Sequence, residues 1–99
     1  MDNQLKTVVE AVRAVERQLR ETALTPALAR RGEVPRTGEN QLLGAVAGLT
    51  ETLREFTGAF EDRMFTPSAR KALFEATREL GGPAVRLRAA ERRAGEGGV

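Results

Sequence analysis

Residues 42 to 65 read LLGAVAGLTETLREFTGAFEDRMF, and this stretch decides the fold. Its main apolar residues are separated by four, three, four, three and four positions, the heptad repeat that lines one seam of a helix. The seam consists of Leu42, Val46, Leu49, Leu53, Phe56 and Phe60. Three of the chain's four phenylalanines lie towards the C-terminal end of this stretch: Phe56, Phe60 and Phe65. The spacing predicts a long amphipathic helix that begins near residues 37–39 and ends at Phe65.

A second heptad seam lies in the N-terminal third of the chain. Its members are Leu5, Val8, Val12, Val15 and Leu19. They predict a helix from about Asn3 to Leu24. At Thr25-Pro26 the helix either breaks, since proline cannot continue a helix but fits the start of a new one, or continues with a kink. Shifted by 41 positions, this seam falls on Val46 to Phe60, and Thr25-Pro26 falls on Thr66-Pro67. Both an ancient duplication and a chance match of two heptad helices explain the coincidence.

The C-terminal third predicts two further helices. Ser68 to Leu80 forms the first, and Gly81-Gly82 ends it because glycine accepts the left-handed conformation at a helix C-terminus. Pro83 then begins a short basic helix that reaches about Ala94. We therefore expect an all-α fold in which the two long heptad helices form an antiparallel hairpin. A third helix and the short basic fourth helix follow the hairpin. Residues 1–94 make one domain, which we expect oligomerisation to complete, and 95–99 form a flexible tail.

Composition excludes several kinds of chemistry. The chain has no Cys and no His, which rules out Ser-His or Cys-His catalysis and thiolate or imidazole metal sites within it. Glu51 and Glu55 share a helix face, but a di-metal helical site also needs Glu-x-x-His. We expect no catalytic residue, no metal, no cofactor and no small-molecule substrate, and therefore no enzyme.

Location follows from hydropathy. No apolar run approaches the roughly 18 residues of a membrane span, and no basic region followed by an apolar core marks a signal peptide. Arginine far outnumbers lysine, and alanine and glycine are abundant, which suggests a GC-rich bacterial or phage gene. The sequence predicts a cytoplasmic protein.

Association is the function that the pattern favours. The apolar faces of the helices exceed what one small chain can cover, so a second copy or another helical protein is expected to bind them. The predicted protein interface consists of Val9, Leu43, Phe56, Phe60, Met64, Phe65 and Phe74. We expect a coiled-coil homo-oligomer that acts as a structural protein, adaptor or assembly component.

Nucleic-acid binding is the alternative. Residues 66–99 hold seven cations against four acids, a net charge of +3, which can make a modest phosphate-contacting surface. The candidate phosphate contacts are Arg70, Lys71, Arg86, Arg88, Arg92 and Arg93. The whole chain has a formal charge of only +2, so charge alone does not indicate this function. A lipid- or polymer-binding amphipathic helix is a third option, disfavoured because the first helix lacks interfacial aromatics.

Overall fold

The computed structural model describes residues 3–30 and 32–96, and these contain helices but no strand. The predicted all-α class is confirmed. Contacts along the chain divide it into two compact units, Met1–Glu33 and Val34–Val99.

The first unit is a helical run whose geometry changes along its length. It consists of α1 (Asn3–Gln18), a π-helical segment (Leu19–Leu24) and α2 (Thr25–Ala29). The predicted helix over Asn3 to Leu24 is therefore confirmed. The helical run continues through Thr25-Pro26 to Ala29, and the next residue, Arg30, is extended.

The π-helical segment explains how the chain passes a proline. In an α-helical turn the ring of Pro26 would crowd the carbonyl of Thr22, four residues back. Proline also has no backbone N–H that could donate a hydrogen bond to this carbonyl. Instead the N–H of Thr25 donates to the carbonyl of Arg20, five residues back. This wider turn shifts the backbone ladder by one residue just before the proline, so the predicted break does not occur.

The second unit is a pair of long helices. It consists of α3 (Arg36–Phe60), a 3₁₀ turn (Glu61–Arg63) and α4 (Pro67–Glu96). The two helices are antiparallel, because Asn40 near the start of α3 bonds Glu91 near the end of α4, whereas Thr57 near the end of α3 meets Thr77. The predicted central helix is confirmed, although it ends at Phe60 rather than Phe65.

The predicted boundary between a third and a fourth helix is wrong. Helix α4 runs unbroken through Gly81, Gly82 and Pro83, and no glycine among the described residues has a positive φ. Packing against α3 overrides the local signals, as tertiary contacts commonly do. Ala84, directly after the proline, is only 5% exposed, and the guanidinium of Arg54 lies against Gly81.

The turn before α4 follows the sequence prediction. The Thr66 hydroxyl accepts a hydrogen bond from the N–H of Ala69 at 3.2 Å, as a helix N-cap does, and Pro67 is the first helical residue. The two Thr-Pro pairs thus have different local structures, since Thr25-Pro26 lies inside a continuous helical run.

The hairpin of the second unit is formed by α3 and α4. The two heptad helices, α1 and α3, belong to separate units, so their predicted pairing stays a prediction. The single domain over residues 1–94 likewise stays a prediction. Helix α4 extends to Glu96, two residues into the predicted tail, and residues 97–99 lie outside the described part of the chain.

Candidate interaction surface

Helix α3 packs on α4 through small and polar residues. One line of residues that face α4 consists of Asn40, Gly44, Ala47, Glu51, Arg54 and Gly58, at steps of four, three, four, three and four. Ala47 is completely buried, and a side chain at Gly58 would contact the Thr77 methyl group. The glycines in this line leave room for side chains of α4, since a Cβ at Gly44 would meet the carboxylate of Glu91.

An ion-pair cluster joins the two helices near the middle. Arg88 on α4 donates to both carboxylate oxygens of Glu51 on α3, at 2.9 and 2.7 Å, and to Glu91 at 2.9 Å. These hydrogen bonds lower the pKa of Glu51 below its ordinary value of 4.5 and raise the pKa of Arg88. Bidentate geometry fixes the register of α3 along α4.

Further polar contacts hold the hairpin on either side of this cluster. The Asn40 amide donates to the carbonyl of Glu91 at 2.7 Å. The hydroxyls of Thr57 and Thr77 lie 2.7 Å apart and hydrogen-bond each other. Arg54 donates to the carbonyl of Thr77 at 3.2 Å. Hydrogen bonds therefore join α3 and α4 towards both ends of the hairpin.

The Glu51–Arg88 pair makes hairpin stability depend on acid pH. Because the pKa of Glu51 is lower in the folded state than the 4.5 of the unfolded chain, its stabilisation is present above pH 4.5 and is lost as the pH falls through the folded pKa. We expect Glu51→Gln to unfold at a lower temperature than wild type at pH 7, and to lose less on acidification to pH 3. Circular dichroism melts measure both effects. Glu55→Gln, one helical turn along, is the matched control and should follow the wild-type pH profile.

The apolar heptad seam of α3 faces away from α4. At about 100° per residue it lies on the roughly opposite side of the helix from the small-residue line. Together with its flanking small residues it forms the α3 outer face: Leu42, Ala45, Val46, Leu49, Thr52, Leu53, Phe56, Ala59 and Phe60. Leu42 and Leu53 are 50% and 47% exposed, and every member except Phe60 is exposed. No member carries a charge, and the face runs about 27 Å at 1.5 Å per residue.

The C-terminal end of the α3 outer face is partly covered by its own neighbours. The rings of Phe56 and Phe60 lie 4.9 Å apart, and the guanidinium of Arg63 lies 4.6 Å above the Phe60 ring. Such a cation–π contact is strongest where water is excluded. The aromatic end of the face therefore already has contacts within its own chain.

The predicted interface residues are distributed over α1, α3, the turn after α3 and α4. Phe56 and Phe60 lie together on the α3 outer face, whereas Phe65, 97% exposed, lies in the turn between α3 and α4. Phe74 is exposed on α4. Leu43 lies in a shallow groove between α3 and α4 beside Ala90. The remaining two, Val9 in α1 and Met64 in the turn, are half-buried.

The candidate phosphate contacts all lie on α4, and several have partners within the chain. Arg70 donates to the carbonyl of Met64 at 2.9 Å, and Lys71 pairs with Glu75 at 3.9 Å. Arg88 is held by the carboxylates described above. The other three, Arg86, Arg92 and Arg93, are exposed. Their use as phosphate contacts stays a prediction.

The interface predicted from the sequence omits most of the α3 outer face, because an apolar heptad on a helix usually indicates a core-facing side. Gly44 and Gly48, four residues apart, are the sequence feature that indicates which side of α3 packs on another helix, since small residues so spaced permit close helix approach. They identify the α4-facing side and leave the heptad seam pointing outward.

Comparison with known proteins adds no relative. No family model, no curated protein and no solved structure matches this chain. Within residues 3–30 and 32–96, no helix combines the length and the apolarity that a membrane crossing requires. Among the same residues, no three acidic side chains gather as a metal site would need.

Proposed function

We propose that this chain is a non-enzymatic helical interaction protein that associates with itself through the α3 outer face, as an assembly component or adaptor. One observation carries the proposal: a face of exposed, uncharged side chains, about 27 Å long at 1.5 Å per residue, lies on a helix that already has a packing partner on its other side.

The physical argument rests on the free energy of exposed apolar surface. Contiguous apolar patches on a soluble protein mark interaction sites, because covering them with another surface is favourable by about 25 cal/mol per Å². The face contains no titratable side chain, so it offers burial and shape but no proton transfer. Binding is the chemistry that it supports.

The mass of the protein in solution tests the proposal. At tens of micromolar we expect light scattering after size exclusion to give a mass above the 10.8 kDa of one chain. Leu53→Glu places a charge in the centre of the α3 outer face and should return the mass to that of the monomer, with helix content unchanged. Val85→Glu, at a site 68% exposed on α4, is the matched control and should associate like wild type. A monomeric wild-type protein would contradict the proposal.

Nucleic-acid binding has less support. Arg88 is held by Glu51 and Glu91, and it lines a groove that also contains Glu55, so the charge in this groove is mixed. A phosphate-binding surface gains from unopposed cations.

A further inference from the structure

We infer that the partner on the α3 outer face is the same face of a second copy, with the two α3 helices antiparallel about a two-fold axis between Leu49 and Leu53. This inference rests on the proposed function and specifies the partner segment and its orientation. Each α4 would lie on the far side of its own α3, so the pair of α3 helices forms the centre of a four-helix assembly.

Side-chain size favours the antiparallel orientation. Layers of the seam would then pair Phe60 of one copy with Leu42 of the other, and Phe56 with Val46, while Leu49 meets Leu53 at the centre. Each large aromatic residue of one end thus lies against a smaller residue of the other end. A parallel pair would instead place each phenylalanine against its own copy and valine against valine, which overfills one end and leaves space at the other.

The flanking residues permit self-pairing. Charged residues beside a heptad seam select partners and orientation, and like charges repel when a helix meets a copy of itself in a symmetric pair. The exposed flank of this seam consists of Ala45, Thr52 and Ala59, which are small and uncharged. Ala45 and Ala59 each lie seven residues from Thr52. A two-fold axis beside Thr52 therefore brings Ala45 of one copy close to Ala59 of the other.

Two charged residues near the middle of α3 are used on its other side: Glu51 and Arg54 contact α4. The cation of Arg63, in the turn after α3, lies on Phe60 at the end of the face. A second copy can therefore approach the α3 outer face without separating an ion pair from water or breaking the hairpin.

Disulfide trapping tests the inference, because the chain has no cysteine of its own. Oxidation links only residues whose Cα atoms come within about 7 Å. We expect Thr52→Cys, next to the two-fold axis, to form a covalent dimer by itself under mild oxidation. Ala45→Cys and Ala59→Cys should stay monomeric on a non-reducing gel when oxidised separately, and should form a covalent dimer when mixed before oxidation. Light scattering of each reduced variant confirms that it still associates.

The other outcomes identify what is wrong. Covalent dimers from Ala45→Cys alone would mean parallel helices and would overturn the inference. Association without any covalent dimer from Thr52→Cys would overturn it too, and would mean that the face binds another segment of the second copy, such as the seam of its α1. Both results leave the proposed function standing. A monomeric wild-type protein would remove the proposed function and the inference together.

Discussion

Replacing Pro83 by alanine is expected to stabilise the α3–α4 hairpin by about 2 kcal/mol. A proline in a helix interior costs about 3 kcal/mol relative to alanine, because it withholds an N–H from the carbonyl four residues back and crowds it. Part of this gain, up to about 1 kcal/mol, is offset because alanine gives the unfolded chain more freedom. Since α4 is continuous on both sides of Pro83, alanine fits without any rearrangement.

Urea unfolding followed by circular dichroism measures this effect. The comparison is best made in the Leu53→Glu background, where association is expected to be absent and does not add to the apparent stability. Pro67→Ala is the matched control: Pro67 is the first residue of α4, where no N–H is needed, so the change should be small. A loss of stability from Pro83→Ala would contradict a continuous α4.

Replacing Ala47 by leucine is expected to destabilise the hairpin by about 1–3 kcal/mol. Ala47 is completely buried on the α4-facing side of α3, between Gly44 and Gly48, and overfilling a closely packed site forces helices apart. The cost appears as a lower urea midpoint with little change in helix content.

Ala45→Leu is the matched control for this substitution. Ala45 lies two residues away but on the α3 outer face, where it is exposed, so the same change should leave the monomer about as stable as wild type. If Ala45→Leu were the destabilising change and Ala47→Leu the neutral one, α3 would be turned about its axis, with the apolar seam against α4. The pair of variants therefore tests which face of α3 is inside.

The sequence predicted the helices better than their partners. Periodicity placed α1 and α3, and Thr66-Pro67 marked the start of α4 correctly, because caps and heptads are local signals. Gly81, Gly82 and Pro83 are also local signals, and they misled because contacts with α3 on both sides of the proline hold the helix together. Such contacts join residues more than twenty positions apart and leave no periodic mark.

The candidate site was predicted in part. Phe56 and Phe60 were identified because aromatic residues at helical spacing are conspicuous. Their neighbours Leu49 and Leu53 are exposed although their spacing indicates the interior, since an apolar heptad is usually core. The Glu51–Arg88 pair was not anticipated because acidic and basic residues are frequent throughout the chain, and which of them meet depends on the register of the hairpin.

The π-helical segment over Leu19–Leu24 acts as a one-residue insertion in the helix. In an unbroken α-helix, Leu24 would lie about 140° from the seam that Leu5 to Leu19 define. The extra residue taken up by the wider turn rotates everything after it back by about 100°, which returns Leu24 to within about 40° of that seam. The wider turn before Pro26 thereby extends one apolar face beyond Leu19. A variant without Pro26 whose helix is regular is expected to keep this face in phase only if one residue of the segment is removed with the proline.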